Sequence, residues 1–159
     1  MLDKIFDPKK IDKKNYEIEE KLGIFNSDIS SSKESFCIMM PPPNVTGVLH
    51  MGHALNFTLQ DVIVRYKRLN NFNVLWQPGT DHAGIATQIV VEKELNKNNQ
   101  NRHDLGKENF IKKVWEWKSK SGNQIISQMR QLGVSADWTR EKFTMDDELS
   151  KTVRKVFID

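Results

Sequence analysis

Two histidines three residues apart, His50 and His53, stand in the stretch PPPNVTGVLHMGHAL, Pro41 to Leu55. Three prolines and two glycines share these fifteen residues, and helical spacing begins where the histidines sit. The first turn of a helix has unsatisfied N–H groups and the positive end of the peptide dipole, so it attracts anions. Side chains at i and i+3 leave one side of that turn, and imidazole N–H groups can donate to phosphate oxygens. Such donors stabilise charge that develops on a departing phosphate. Gly52 lies between them and, lacking Cβ, lets a flat ligand approach the backbone. Pro41, Pro42 and Pro43 stiffen the approach and lower the ordering cost of binding. Two plainer readings stand beside this one. The histidines could be structural groups at a helix start, or a metal pair. The metal reading lacks the i, i+4 spacing and glutamate of HExxH, and His82 and His103 have no cysteine or carboxylate pattern around them, so no metal site is expected. Neither GxxxxGK[ST] nor GxGxxG occurs.

A second irregular stretch, QPGTDHAG, Gln77 to Gly84, carries Asp81. Its carboxylate could form a charge-assisted pair with an ammonium ligand. It could equally cap the helix that follows, as could Thr80.

The elements that must hold these stretches follow from periodicity. FCIMM, Phe36 to Met40, reads as a buried strand ended by the prolines. Leu55, Leu59, Val62, Tyr66 and Leu69 are spaced 4, 3, 4, 3 and predict a helix over about Leu49 to Leu69 with one continuous apolar stripe, ending at Asn70 and Asn71. FNVLW, Phe72 to Trp76, reads as a second strand, and a helix over about Ile85 to Asn96 follows. Phe110, Val114, Trp117, Ser121, Ile125, Met129 and Leu132 fit a long helix closed by Gly133. Ala136 to Met145 reads as irregular or short extended chain, and a short helix is expected near Asn15 to Leu22. Strand, loop, helix, repeated, implies an α/β fold with a parallel sheet and right-handed crossovers. Ligands bind such sheets at the carboxyl ends of the strands, so the two irregular loops should meet at one edge.

Composition narrows the class. The 159 residues are 38% hydrophobic and 28% charged, with a net charge of +3. That suits a soluble domain, and the basic excess is too mild to predict a polyanionic partner. The lone Cys37, between Phe36 and Ile38, forms no intramolecular disulfide; a buried thiol and a reducing, cytoplasmic setting are expected. The N-terminus lacks a signal-peptide core, and no apolar run reaches membrane-spanning length, so no membrane association is expected. Met145 to Asp159 reads as an amphipathic helix bearing Leu149, Val153, Val156 and Phe157 on one face; with no glycine cap it suggests a chain that continues. Trp76 and Trp138 are expected in the core, and at least one of Trp115 and Trp117 should pack inward.

HMGH, His50 to His53, resembles the HIGH signature of class I aminoacyl-tRNA synthetases. The surroundings narrow the likeness. The stretch Pro41 to Leu55, RYKRLNNFNVLWQPGTDHAGIATQ (Arg65 to Gln88) and SADWTREKFTMD (Ser135 to Asp146) are similar to the valyl members. This resemblance implies a Rossmann-like nucleotide-binding catalytic domain, with residues 1–35 as an extension and 36–159 as its first part. It implies activation of valine by ATP with Mg²⁺, and transfer of the valyl group to tRNA(Val), which would be bound mostly by regions outside these residues. Within an ATP-binding region from Pro43 to His53, His50 and His53 would contact the phosphates, and Gly52 would lie under the adenine. Thr46 and Asn56 would be second contacts. Pro42, Asn44 and Asp81 would hold the amino acid, Asp81 through its ammonium group. Lys112, Lys113, Lys118 and Lys120 read as a solvated helix face, with a tRNA-contacting face as the other reading. The family's KMSKS stretch is not found; KSKSG, Lys118 to Gly122, falls inside the long predicted helix. The chain is therefore expected to hold half of an active site and not to aminoacylate tRNA on its own. Two other readings remain: a different HxGH enzyme, or a nucleotide-binding or structural module without activity.

Overall fold

The structure, a computed structural model, describes residues 8–159, with side chains from Asp12 onward. Residues 1–7 of the expected extension lie outside the described residues. The chain divides into two compact units.

The first unit comprises the chain to Met40, Met51–Pro78 and Ser127–Glu141. It contains helix α1 (Pro8–Lys21), strand β1 (Ser35–Met39), helix α2 (Met51–Leu69) and strand β2 (Asn73–Gln77). β1 and β2 pair in parallel, with Ser35 opposite Asn73 and Met39 opposite Gln77. β2 buries Val74 and Trp76 on one face, and α2 packs on this sheet. Asn71, at φ 65°, ends α2. Its N–H donates to the Arg68 carbonyl (3.0 Å) and the Phe72 N–H to the Lys67 carbonyl (3.1 Å). This is the left-handed cap that satisfies a helix's last carbonyls.

At three places burial departs from what apolar character alone predicts, and for Cys37 and β1 it corrects the expectation of a buried thiol and a buried strand. The stripe Leu55, Leu59, Val62, Tyr66 and Leu69 is exposed, whereas α2 buries Phe57 and Val64. At roughly 100° per residue, those two lie on the opposite side of the helix from the stripe. The inward side is completed by polar groups with partners. Gln60 accepts from Trp76 Nε1 at 3.0 Å, and Asp61 accepts from the Ser135 N–H at 3.1 Å. Arg68 donates to the carbonyls of Ser135 (2.8 Å) and Phe25 (3.0 Å). Second, Cys37 is exposed, because strand residues alternate and it falls on the outward face of β1. Third, β1 is only half-buried, and Met39 is 71% exposed.

The second unit comprises Pro41–His50, Gly79–Ile126 and Lys142–Asp159. It holds strand β3 (Gly79–Thr80), helix α3 (Ile85–Lys97), the first part of helix α4 (Arg102–Gln131), strand β4 (Lys142–Phe143) and helix α5 (Asp147–Ile158). Its core is Val91, Leu95 and Phe110, with Leu105, Val114 and Trp117 packed around them. α4 breaks at Gly106, whose φ 72°, ψ 165° only glycine adopts readily. The 3-10 turn Trp138–Arg140 precedes β4 in sequence. Trp76 and Trp138 are buried, as expected of core residues.

Candidate active site

The two irregular loops meet in the second unit. The Asp81 N–H donates to the Pro43 carbonyl (2.8 Å), and the Val45 N–H donates to the Asp81 carbonyl (2.9 Å). Asn44 and Asp81 thus form a short parallel bridge. Pro43 and Val45 point inward, while Pro42 and Asn44 are exposed on either side of Pro43. α4 supports the same loop from behind: Trp117 Nε1 donates to the Val45 carbonyl (2.8 Å) and Ser121 Oγ to the Gly47 carbonyl (3.3 Å). A loop of prolines and glycines has few ladder bonds of its own, so these contacts settle its backbone polar groups. Pro42, Asn44 and Asp81 are thereby brought together, and Thr46 and His50 continue the same segment.

Asp81 is held through one oxygen. Its Oδ1 accepts from Thr144 Oγ1 (2.9 Å) and from the Ala83 N–H (3.2 Å), and lies 3.3 Å from His82 Nδ1. Thr144 Oγ1 also accepts from the His82 N–H (2.9 Å) and sits 2.6 Å from His82 Nδ1. The helix-cap alternative is not realised: α3 starts after Gly84 with no side-chain cap.

Close approach of β4 makes this arrangement reachable. β3 pairs with β4, Gly79 opposite Lys142 and Thr80 opposite Phe143. A Cβ on Gly79 would stand 2.7 Å from the Lys142 carbonyl oxygen, so the pairing requires glycine. The Thr144 N–H donates to the Thr80 carbonyl (3.1 Å). Asp146 closes the turn, accepting from the Phe143 N–H (2.8 Å) and donating its own N–H to the Phe143 carbonyl (2.8 Å). A cavity of about 760 Å³ in this unit is bordered by His82, Thr87, Phe110, Val114, Trp115 and Phe143.

Gly52, His53 and Asn56 belong to the first unit, on the opening turns of α2. No acidic residue stands in that first turn, so its positive field is not locally opposed. Asn56 Oδ1 accepts from Gln60 Nε2 (2.6 Å), and Gln60 in turn binds the indole of Trp76 (3.0 Å). The His53 ring packs at 6.2 Å from that of Phe57. Among the described residues no group of three or more His, Cys, Asp or Glu side chains could hold a metal ion, and no helix is long and apolar enough to cross a membrane.

Thr144, Trp117 and Ser121 were not singled out by sequence for this site. Nothing in spacing signals them, because Thr144 and Asp81 are 63 positions apart and Trp117 and Val45 are 72 apart.

A family model described as tRNA synthetases class I (I, L, M and V) matches residues 14–159. The chain is 57% identical over 157 residues to a valine–tRNA ligase of Syntrophotalea carbinolica, covering 99% of this chain and 18% of that protein. It is 56% identical over 157 residues to a valine–tRNA ligase of Geobacter sulfurreducens, with the same coverage. The chain thus spans less than a fifth of the length of these relatives. A solved ternary complex of a LeuRS from Agrobacterium radiobacter with tRNA and LeuAMS superposes with a TM-score of 0.80 at 21% identity, over 98% of this chain and 18% of that one. The fold is therefore α/β and Rossmann-like: the strand–helix order implied its α/β class and parallel pairing, and the resemblance implied its Rossmann-like form.

Proposed function

The chain belongs to the class I tRNA synthetases, in the isoleucine, leucine, methionine and valine group, and from that premise we propose that it is part of a valine–tRNA ligase. The reaction joins the carboxylate of valine to the α-phosphate of ATP with loss of pyrophosphate. It then moves the valyl group to the 3′ end of tRNA(Val), releasing AMP. Residues 36–159 are the first part of the catalytic domain, preceded by an extension over residues 1–35, and the protein works in the cytoplasm.

The resemblance implies the roles, and the chemistry of the side chains supports them. Asp81 pairs with the α-ammonium group of valine, with the Pro42 carbonyl and Asn44 beside it. His50 and His53 donate to the triphosphate at the start of α2, where the helix dipole adds to them. Gly52 leaves room for the adenine, and Thr46 and Asn56 are further contacts. Mg²⁺ would arrive with the triphosphate and be held mainly by phosphate oxygens and water. Sites of this kind act by positioning reactants and stabilising charge.

The supporting observation is the two-bond ladder between Pro43–Val45 and Asp81, which sets a carboxylate beside the exposed Pro42 and Asn44. The test is calorimetric titration with a non-hydrolysable valyl-adenylate analogue. An isoleucyl analogue and Asp81→Asn serve as controls. Loss of a charge-assisted contact costs about 1.5–3 kcal/mol, so Asp81→Asn should weaken binding roughly 10- to 150-fold. Equal affinity for the two analogues refutes the valine assignment. Unchanged affinity in Asp81→Asn refutes the ammonium site.

A further inference from the structure

We infer that Thr144 and His82 form a positioning relay that fixes the Asp81 carboxylate, so that one oxygen is committed to the protein and the other is presented to an ammonium ligand. The inference rests on the reading of Asp81 as the ammonium site, and its test separates the two.

Proton accounting sets the direction of the relay. An ionised carboxylate only accepts, so the 2.9 Å contact between Thr144 Oγ1 and Asp81 Oδ1 requires the hydroxyl to donate. That uses the only hydrogen Thr144 Oγ1 has. His82 Nδ1, 2.6 Å from that oxygen and 3.3 Å from Asp81 Oδ1, must then carry a hydrogen itself. A lone pair there would face two oxygens with no hydrogen between them. The order is thus His82 Nδ1–H to Thr144 O–H to Asp81 Oδ1. The His82 backbone N–H fills the second acceptor position of Thr144 (2.9 Å), so the hydroxyl is fully satisfied. The Phe143 ring, 6.4 Å away and nearly perpendicular, packs against the imidazole.

The consequence is orientational. Rotation about the terminal torsion of an aspartate is soft and broad. Ala83 N–H, Thr144 O–H and His82 Nδ1 all gather at Oδ1, and none of these contacts uses Oδ2. A carboxylate with one oxygen tied down has less rotational freedom to lose when a ligand binds. β4 delivers Thr144, through its pairing with β3 and the turn closed by Asp146. All of these residues belong to the second unit.

The experiment uses Thr144→Val, which removes the hydroxyl at nearly constant shape, and Thr144→Ser, which retains it. Asp81→Asn separates the proposal from the reading beneath it. Two readouts are taken on each variant: affinity for the non-hydrolysable valyl-adenylate analogue, and ¹⁵N NMR of the His82 imidazole. Wild type should show hydrogen on Nδ1. Thr144→Val leaves His82 Nδ1 only the longer contact to Asp81, so it should shift that signature and bind roughly ten- to a hundredfold more weakly, with Thr144→Ser restoring both. A His82 ring protonated only on Nε2 in wild type overturns the relay. So does Thr144→Val binding as tightly as wild type while Asp81→Asn does not. Should Asp81→Asn bind as tightly as wild type, or wild type bind nothing, the ammonium site fails and the role given to Thr144 fails with it. The His82 signature would then still report whether the hydrogen bonds exist.

Discussion

Replacing Gly79 with alanine tests whether the close contact between β3 and β4 holds the candidate site together. The new Cβ would lie 2.7 Å from the Lys142 carbonyl oxygen and 3.7 Å from its carbon. Both are backbone atoms, so no side chain can swing aside. Ordinary contact requires β4 to retreat by roughly 0.7 Å, and overpacking of this kind costs about 1–3 kcal/mol. Retreat also stretches the 3.1 Å bond from the Thr144 N–H to the Thr80 carbonyl, worth about 1 kcal/mol. Together Gly79→Ala should destabilise the chain by about 2–4 kcal/mol. Gly122 is the matched control. It sits inside α4, and a Cβ there would meet only Val45 Cγ1 at 3.9 Å, an ordinary contact. Gly122→Ala should therefore stabilise by about 0.5–1 kcal/mol, through helix propensity and loss of unfolded-state freedom. Urea unfolding followed by tryptophan fluorescence reads both changes at 25 °C, and the valyl-adenylate analogue reads the effect on binding. Gly79→Ala with a wild-type midpoint and wild-type affinity would show that the tight strand contact neither strains nor positions anything.

Two other perturbations address the first unit. Tyr16 O–H donates to the Val134 carbonyl (2.7 Å) and accepts from Trp138 Nε1 (2.6 Å) in a buried setting, so Tyr16→Phe strands two groups and should cost about 2–4 kcal/mol in the same assay. Burial is also the main cause that pushes the Tyr16 phenol up to about 12, above its ordinary value of 10.0; its contribution is fully present below pH 10 and is lost as pH rises toward 12, so wild type should lose stability more steeply than Tyr16→Phe across that window, and equal slopes would contradict the burial. On α2, Val64 is fully buried and Val62 is 62% exposed, so Val64→Ala should cost about 1–2.5 kcal/mol and Val62→Ala less than about 0.5, the reverse of what the apolar stripe alone suggests.

That reversal shows what periodicity can and cannot fix. The spacing of Leu55, Leu59, Val62, Tyr66 and Leu69 correctly marks a helix and one of its sides. It does not say which side meets the sheet. α2 turns Phe57 and Val64 inward together with Gln60, Asp61 and Arg68, because each of those polar groups finds a partner on Trp76, Ser135 or Phe25. Satisfied polar groups remove the penalty that normally keeps such residues out. Hydrophobicity alone cannot anticipate this, since the partners are distant in sequence. The order of elements and the two loops were readable for the opposite reason. They depend on near neighbours: apolar runs cut by prolines, asparagines at a helix end, a glycine after a long amphipathic stretch.

The candidate site divides along the same line. His50, Gly52, His53 and Asp81 announce themselves by residue type within short stretches, whereas their supports do not. The stretch SADWTREKFTMD illustrates the difference. Asp137 is almost wholly buried and accepts from the Ser27 N–H (3.0 Å) and the Thr139 N–H (3.2 Å), a purely scaffolding role. Ser135 donates its N–H to Asp61 (3.1 Å) and its carbonyl accepts from Arg68 (2.8 Å). Six residues after Trp138 the same stretch supplies Thr144, whose hydroxyl reaches Asp81. A segment that is mainly scaffold thus also delivers one group to the Asp81 carboxylate. Sequence alone gives these residues equal standing. Hydrogen-bond geometry separates them: Thr144 reaches Oδ1 of Asp81, and none of the contacts gathered at that carboxylate uses Oδ2.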